Sequence, residues 1–232
     1  MIDYYSKSLS AENLKRCYEL ASLRVKKYFN AEINFVRNRI NQGDKVLELG
    51  CGYGRIFPYL ITKVEFIYGI DNSIENIKFG KKLFQNITNI FFLKMNAVEL
   101  EFENNTFDKV LCIQNGISAF HVDKIKLIKE SLRVVKPDGK VFFSSYSYKF
   151  WNHRMKWFEK QSEAGLIGKI NYNKSKNGKI VCEDGFSADT VGKRDFNKLL
   201  SEFESITYKL TEVDNSCIFC EIIPHKDYFA KK

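Results

Sequence analysis

The sequence lacks a long apolar run, and its N-terminus lacks a basic segment followed by an apolar one. A membrane-spanning helix needs about 20 consecutive apolar residues, so no span is predicted. A secretory signal needs the two missing segments, so none is predicted either. The sequence therefore predicts a cytoplasmic protein, and its 232 residues suit one domain with an elaboration.

Sequence motifs typical of metal sites are scarce. Cys217 and Cys220 form a single Cys-x-x-Cys, and the other cysteines are scattered singly along the chain. A structural zinc site normally has four ligands, which one such pair does not supply. The pair also falls in a predicted strand, where residues three apart point to opposite faces. We therefore predict neither a metal site nor a disulfide.

Arginine is scarce among the basic residues, of which it makes up eight of 37, although the net charge is +9. Arginine presents a planar fork that suits phosphate better than the ammonium of lysine does. The lysines are spread along the whole chain without a dense run. The charge therefore favours a solvated, lysine-rich surface, and a nucleic-acid-binding surface is the alternative.

The most informative stretch is Lys45–Arg55, KVLELGCGYGR, which reads as a buried strand, a glycine-rich turn and the start of a helix. Glu48 stands near the carboxyl end of that strand, and a second apolar run ends in Asp71, 17 residues after Gly54. Glycines let the backbone approach a ligand closely, and an acid at the next strand tip suits ribose hydroxyls. A nicotinamide-binding domain has the same general arrangement.

Two details separate this stretch from a nicotinamide site. The Gly-x-Gly-x-Gly spacing is one residue shorter than the dinucleotide fingerprint, and an acid precedes the first glycine by two residues. Glu48–Gly52, ELGCG, resembles the first motif of class I S-adenosylmethionine-dependent methyltransferases. The resemblance continues in order through Tyr68–Ser73, Phe107–Cys112 and Leu132–Gly139, and covers roughly residues 40–147.

The resemblance implies S-adenosylmethionine as the cofactor and S-adenosylhomocysteine as its product. Family members commonly carry an acid where this chain has Asn96, and that acid accepts a hydrogen bond from the adenine amino group. The carbonyl oxygen of an asparagine can still accept. The resemblance places the cofactor against Glu48, Gly50, Cys51, Gly52, Arg55, Asp71, Asn72, Asn96, Ala97, Ile113 and Gln114.

Strands alternate with helices from Asp44 onward, which predicts an α/β fold with a doubly wound, mostly parallel sheet. Two closing strands resemble the sixth and seventh strands of the family, which implies a seven-stranded sheet with an antiparallel final strand. The predicted strands cover residues 45–49, 64–70, 90–94, 109–113, 140–145, 206–213 and 217–223.

Two helical stretches precede the first strand, and we predict that residues 1–42 form an N-terminal helical cap. Helical spacing of apolar residues predicts one continuous helix over 11–29, and Gly43 ends the second stretch. The resemblance implies that such helices pack over the edge of the cofactor site. Tyr4 and Tyr5 then either close on the cofactor or belong to a disordered tail.

Residues 146–190 form an insertion after strand five, which we interpret as a lid over the substrate. Its first part, YSYKFWNHRMKWF, is densely aromatic. If this part is helical, Arg154 lies between aromatic rings, where it either packs in the core or holds an anionic or planar group of an acceptor. The predicted substrate-binding residues are Asn115, Tyr146, Trp151, Arg154 and Trp157.

The sulfonium of the cofactor already activates its methyl group, so the protein must align a nucleophile and exclude water. A general base is needed only for a protonated nucleophile, and the candidates are His153, His121 and Tyr146. No Asn-Pro-Pro-Tyr sequence is present, which argues against planar nitrogens of DNA and protein as acceptors. The aromatic insertion favours a closed pocket and a small-molecule acceptor. A tRNA- or protein-directed methyltransferase that uses the basic surface is the alternative.

Overall fold

The computed structural model describes residues 9–230, so the predictions for Tyr4 and Tyr5 lie outside the described residues. The apolar runs of the sequence become strands because their side chains are buried on both faces of a sheet. The strands are β1 (Asp44–Leu49), β2 (Val64–Asp71), β3 (Ile90–Lys94), β4 (Phe107–Cys112), β5 (Val135–Tyr146), β6 (Ile180–Val181), β7 (Ser187–Ala188), β8 (Ile206–Val213) and β9 (Cys217–Pro224).

Seven of these strands form one sheet in the order β3-β2-β1-β4-β5-β9-β8. Strands β1 to β5 pair in parallel, whereas β9 is antiparallel to both β5 and β8. The predicted doubly wound α/β sheet with an antiparallel final strand is therefore confirmed. The strand order reverses between β1 and β4, and open sheets of this kind bind ligands at the carboxyl ends of the strands beside such a reversal.

Helices cover both faces of the sheet. Val46 belongs to the apolar core on one face and Leu47 to the core on the other, as alternation along a strand requires. The helices are α1 (Ala11–Glu19), α2 (Leu23–Arg37), α3 (Phe57–Leu60), α4 (Ile74–Leu83), α5 (Gly116–Ala119), α6 (Lys124–Val134), α7 (Trp151–Glu163), α8 (Lys193–Leu200) and α9 (Lys226–Ala230). Within residues 9–230, none of them is long and apolar enough to cross a bilayer.

The prediction of one continuous helix over 11–29 is wrong, because the chain breaks between α1 and α2. Ser22 begins the second helix, and its hydroxyl accepts a hydrogen bond from the N–H of Val25 at 3.4 Å. Ala21 and Val25, on either side of that cap, are both buried in the core. The apolar spacing therefore continues through the break, and periodicity alone does not reveal it.

The segment between β5 and α8, residues 147–192, is here called the insertion. It contains a short 3₁₀ turn, α7, and a small ribbon in which β6 pairs antiparallel with β7. Asn177 and Gly178 both have positive φ angles, +52° and +81°, and form the tight turn before β6. Helix α7 and α1 pack on the same face of the sheet, beside the carboxyl ends of its strands.

Candidate functional site

A cavity lies at the carboxyl edge of the sheet, where the strand order reverses. Its floor comes from the ends of β1, β2 and β4, and its cover comes from α1 and the insertion. Every residue that the sequence predicted for the cofactor lines this cavity. These residues are Glu48, Gly50, Cys51, Gly52, Arg55, Asp71, Asn72, Asn96, Ala97, Ile113 and Gln114.

The glycine turn after β1 exposes backbone to the cavity. Gly50 and Gly52 have φ angles of +67° and +57°, which residues with a Cβ atom adopt only under strain. A Cβ atom on Gly50 would lie 2.4 Å from the ring of Phe120, and one on Gly52 would lie 2.8 Å from Cδ2 of Leu14. The turn therefore forms a cradle that side chains at these positions would fill.

Asp71, at the tip of β2, holds the glycine turn and the next helix together. Its Oδ2 accepts from the N–H of Gly52 at 2.9 Å, and its Oδ1 accepts from the N–H of Ser73 at 2.8 Å and from Nδ2 of Asn76 at 3.2 Å. Asn76 in turn accepts from the N–H of Ala11 at 2.6 Å, which fixes the start of α1 over this edge. The Asp71 carboxylate is thus oriented from several sides.

A cluster of charged side chains lies beneath the cavity. Arg55 donates from Nη2 to Oε1 of Gln114 at 2.7 Å, and its guanidinium lies 4.8 Å and 4.9 Å from the ring centres of Tyr18 and Phe29. Glu48 is 6% exposed, and its Oε2 has no hydrogen-bond partner in the part of the chain that the structure describes. That buried oxygen is available to a bound group.

Glu32 belongs to this cluster, although the sequence analysis did not select it. It is fully buried on α2, and its Oε1 accepts from the N–H of Gln114 at 3.0 Å and from the hydroxyl of Ser144. The hydrogen bond from the N–H of Gln114 to Glu32 holds Gln114 in a left-handed conformation, with φ at +51°. The sequence did contain a signal for Glu32: it is a carboxyl residue on the same helix stripe as the apolar residues Tyr28 and Val36.

Burial raises the pKa of Glu48 from its usual 4.5 to about 8. The guanidinium of Arg55 acts in the opposite direction, and the carboxyls of Glu32 and Asp71 act in the same direction as burial. A carboxyl with this pKa is partly ionised near neutral pH. A cation bound beside it would favour the ionised form and release the proton.

We expect the stability of the ligand-free protein to depend on pH through Glu48. The folded state holds this proton more tightly than the unfolded chain, so the stabilisation is complete below about pH 4 and is lost as the pH rises to about 8. Relative to Glu48→Gln, the wild-type protein should lose on the order of 4 kcal/mol between pH 5 and 8.5, or roughly 10 °C in melting temperature. If the melting temperatures of the two proteins change equally with pH across this range, the prediction is wrong.

The comparison with known proteins agrees with the geometry. Residues 46–139, which run from β1 to the start of β5, match the family model described as a methyltransferase domain. They include the glycine turn, the acid at the tip of β2 and the reversal of strand order. This part of the chain is a methyltransferase domain, and the chain has the fold of the class I S-adenosylmethionine-dependent methyltransferases. The family predicted from the ordered motifs is thereby confirmed.

Individual relatives match this chain over different lengths. An uncharacterised protein of Methanocaldococcus jannaschii is 29% identical over 180 residues, 77% of this chain and 63% of that protein. The ubiquinone/menaquinone biosynthesis C-methyltransferase of Blochmanniella floridana is 31% identical over 117 residues, 48% of this chain and 45% of that protein. The chain thus spans about half the length of the curated relatives it matches.

A solved structure shares the fold of this chain. It is a SAM-dependent methyltransferase from Aquifex aeolicus, and it has a TM-score of 0.61 at 18% identity. The similarity covers 90% of this chain and 97% of that one. It therefore extends beyond the matched domain into the N-terminal helices and the insertion.

Two of the aromatic residues predicted for substrate binding line the cavity of the methyltransferase domain. Tyr146 ends β5 and Trp157 lies on α7. The indole N–H of Trp157 donates to the carbonyl of Cys17 at 2.8 Å, which joins the insertion to α1. Gln161 and Phe186 line the same part of the cavity. Sequence patterns do not reveal these two residues, because their orientation depends on how the insertion docks.

Neither of the two histidines proposed as bases is among the residues that line the cavity, so we correct their assignment. His153 is exposed on α7, beside Phe150 at 5.7 Å between ring centres. His121 is exposed in the loop after α5. Trp151 is half-buried and packs against the core, outside the cavity lining. A base or a substrate contact must border the space that holds the reactants, and these three residues do not.

Arg154 also needs a corrected assignment. It is 1% exposed, and its guanidinium lies 4.1 Å from the ring centre of Tyr146, outside the cavity lining. Nη1 donates to the carbonyl of Gly178 at 2.8 Å and to the hydroxyl of Thr190 at 2.7 Å, and Nη2 donates to the carbonyl of Ala188 at 2.8 Å. The guanidinium therefore holds the parts of the insertion together and does not contact a methyl acceptor.

Asn115 borders the cavity, but its amide is used within the protein. Nδ2 donates to the carbonyl of Asp189 at 2.9 Å, and Oδ1 accepts from the hydroxyl of Ser145 at 2.6 Å. The same hydroxyl accepts from the N–H of Val191 at 2.8 Å. Asn115 therefore fastens the insertion to the strand ends. Among residues 9–230, no group of three or more His, Cys, Asp and Glu is placed to hold a metal ion.

Proposed function

We propose that this protein transfers a methyl group from S-adenosylmethionine to a small-molecule acceptor. The observation that carries the proposal is the covered cavity at the reversal of strand order. There a glycine cradle, a buried carboxyl with an unpartnered oxygen and an oriented carboxylate meet. Each has a matching feature in the cofactor.

The residues present fit S-adenosylmethionine. Glu48 suits the ammonium group of the methionine portion, because a buried carboxylate gains most from a cation. Asp71 suits the ribose hydroxyls, and Asn96 together with Ala97 borders the position of the adenine. When bound, the cofactor supplies a methyl group that its sulfonium has already activated.

The chain then has to orient the acceptor and exclude water. The cover formed by α1 and the insertion serves both purposes, and alignment of two reactants can supply ~7–11 kcal/mol. Burial raises the pKa of Tyr146 well above neutrality, so its phenol stays protonated and acts as a hydrogen-bond donor rather than as a base. We propose direct in-line displacement without a strong base from the cavity wall.

The alternative acceptor is a tRNA or a protein, held by the surface that gives the net charge of +9. A macromolecular acceptor must bring its nucleophile to the methyl group through an open face. Here the aromatic side chains of Trp157 and Phe186 stand over the cavity, which favours an acceptor small enough to be enclosed.

We expect the purified protein to bind S-adenosylmethionine and S-adenosylhomocysteine but not NADH. The short glycine spacing and Glu48 suit the former pair and not a dinucleotide. Titration calorimetry with each ligand measures this directly. Binding of NADH without binding of either sulfur compound would refute the proposal.

A matched pair of glycine variants tests the same site. Gly52→Ala places a Cβ atom in the cradle, whereas Gly43→Ala introduces the same strain at a φ of +83° with open space around it. Both variants should lower the melting temperature, because both force alanine into a left-handed conformation. Gly52→Ala alone should weaken binding of S-adenosylhomocysteine, by about 10-fold or more.

A further inference from the structure

The half of the cavity away from the glycine turn has its own character. Its wall, here called the acceptor wall, consists of Tyr18, Tyr146, Trp157, Phe158, Gln161 and Phe186. α1 supplies one of these residues, β5 one, and the insertion the rest. Five of the six are aromatic, and aromatic side chains contribute a large apolar contact area that suits an aromatic ligand.

The acceptor wall carries no charge. The charged side chains among the described residues that line the cavity are Glu48, Arg55 and Asp71, which belong to the cofactor side. Arg55 donates to Gln114 on the cofactor side, where Glu48 and Glu32 lie near it, and it is not part of the acceptor wall. Among residues 9–230, the acceptor wall offers no cation to an anionic acceptor, and burial of an anion without a partner is costly.

Arg154 does not change this conclusion. Its guanidinium lies behind the ring of Tyr146 and donates to carbonyls of the insertion. A ligand on the acceptor wall would contact Tyr146 rather than this cation, which is outside the cavity lining. The guanidinium reduces the negative potential that the face of an aromatic ring normally presents. An uncharged aromatic ligand is therefore favoured beside Tyr146 over a cationic ligand.

Gln161 is the amide on this otherwise aromatic wall. It is 3% exposed, and its Nε2 donates to the carbonyl of Trp157 at a long 3.4 Å. Its carboxamide oxygen receives no hydrogen bond from residues 9–230, although the indole N–H beside it is taken up by Cys17. A polar atom that borders a cavity in this way is available to accept from a ligand.

We infer that the methyl acceptor is an uncharged aromatic molecule whose hydroxyl group donates to the carboxamide oxygen of Gln161. The inference rests on the proposed function, because it assumes that the cofactor occupies the other half of the cavity. Aromatic faces supply most of the affinity, and Gln161 selects for the hydroxyl group. This excludes carboxylate-bearing aromatic molecules as good acceptors.

Equilibrium dialysis with three probes of one shape tests the inference. The probes are 2-naphthol, naphthalene and 2-naphthoate, each added at pH 7 to protein saturated with S-adenosylhomocysteine. We expect 2-naphthol to bind at least about 10-fold more tightly than 2-naphthoate, because a carboxylate loses its hydration without gaining a partner. Equal or tighter binding of 2-naphthoate overturns the inference, and so does the absence of binding by all three probes.

Two leucine variants on α7 isolate the role of Gln161. Gln161→Leu should weaken binding of 2-naphthol about 3- to 10-fold, the effect of one hydrogen bond, and leave naphthalene within about twofold. Asn152→Leu makes the same change at an exposed position outside the cavity and should alter neither. Equal loss for naphthalene and 2-naphthol in Gln161→Leu overturns the assigned contact.

Calorimetry with S-adenosylhomocysteine, run first, separates the two levels of the argument. If the wild-type protein fails to bind it, the proposed function falls, and the inference falls with it. If it binds and the naphthalene series does not behave as expected, the acceptor class alone is wrong. The two failures are therefore distinguishable in one set of samples.

Discussion

The Arg154→Met variant is expected to lose about 3–5 kcal/mol of unfolding free energy, which lowers the melting temperature by about 10 °C. Methionine retains most of the apolar stem but supplies no donors. The carbonyls of Gly178 and Ala188 would lose the guanidinium that now donates to them inside the insertion. Thermal unfolding followed by circular dichroism measures the change.

Two further variants calibrate this result. Arg154→Lys keeps the positive charge but cannot reproduce the planar fork, so it should recover only part of the loss. Arg194→Met makes the same change at an exposed position of α8 and should stay within about 0.5 kcal/mol of the wild-type protein. A melting temperature unchanged in Arg154→Met, with weaker acceptor binding, would instead restore this residue to the acceptor site.

The Asp71→Ala variant should bind S-adenosylhomocysteine at least ~10-fold more weakly than the wild-type protein. A charge-assisted hydrogen bond contributes about 1.5–3 kcal/mol, and the loss of one such bond to a ribose hydroxyl accounts for a change of this size. The substitution also removes the acceptor for the N–H of Gly52, so the cradle loses one of its anchors. Calorimetry gives the dissociation constant.

A second carboxylate at the opposite end of the sheet provides the control. Asp108 lies near the start of β4, where it accepts from the N–H of Lys45 and pairs with Lys136. Asp108→Ala should lower stability and leave the affinity for S-adenosylhomocysteine within about twofold. If both variants weaken binding equally, the effect reflects stability rather than a contact with the cofactor.

The strands and the cofactor side of the site follow closely from the sequence. Apolar runs with a turn residue at each end predict buried strands, and parallel pairing brings all their carboxyl ends to one edge. Glu48, Gly52 and Asp71 therefore meet in space because each lies within three residues of the carboxyl end of a strand. The strand order required the family resemblance, since local patterns do not specify which strands pair.

The sequence did not determine which side chains of α1 and the insertion cover the cavity. Arg154 and His153 are adjacent residues of one helix, yet one is buried among carbonyls and the other is exposed. Their helical spacing fixes the angle between them but not which face turns inward. That choice depends on contacts between segments distant in sequence, such as the hydrogen bond from Trp157 to Cys17.

Glu32, in the charged cluster, is a second residue whose position depends on the tertiary structure. The sequence places it on a helix stripe that otherwise looks like core, and only the docking of α2 beneath β4 and β5 brings its carboxyl to Gln114 and Ser144. The sequence by itself thus determined the strands, the glycine turn and the acids at the strand ends, because these depend on neighbouring residues. The tertiary structure decided which helix faces enclose the acceptor, because burial of a helix face depends on what packs against it.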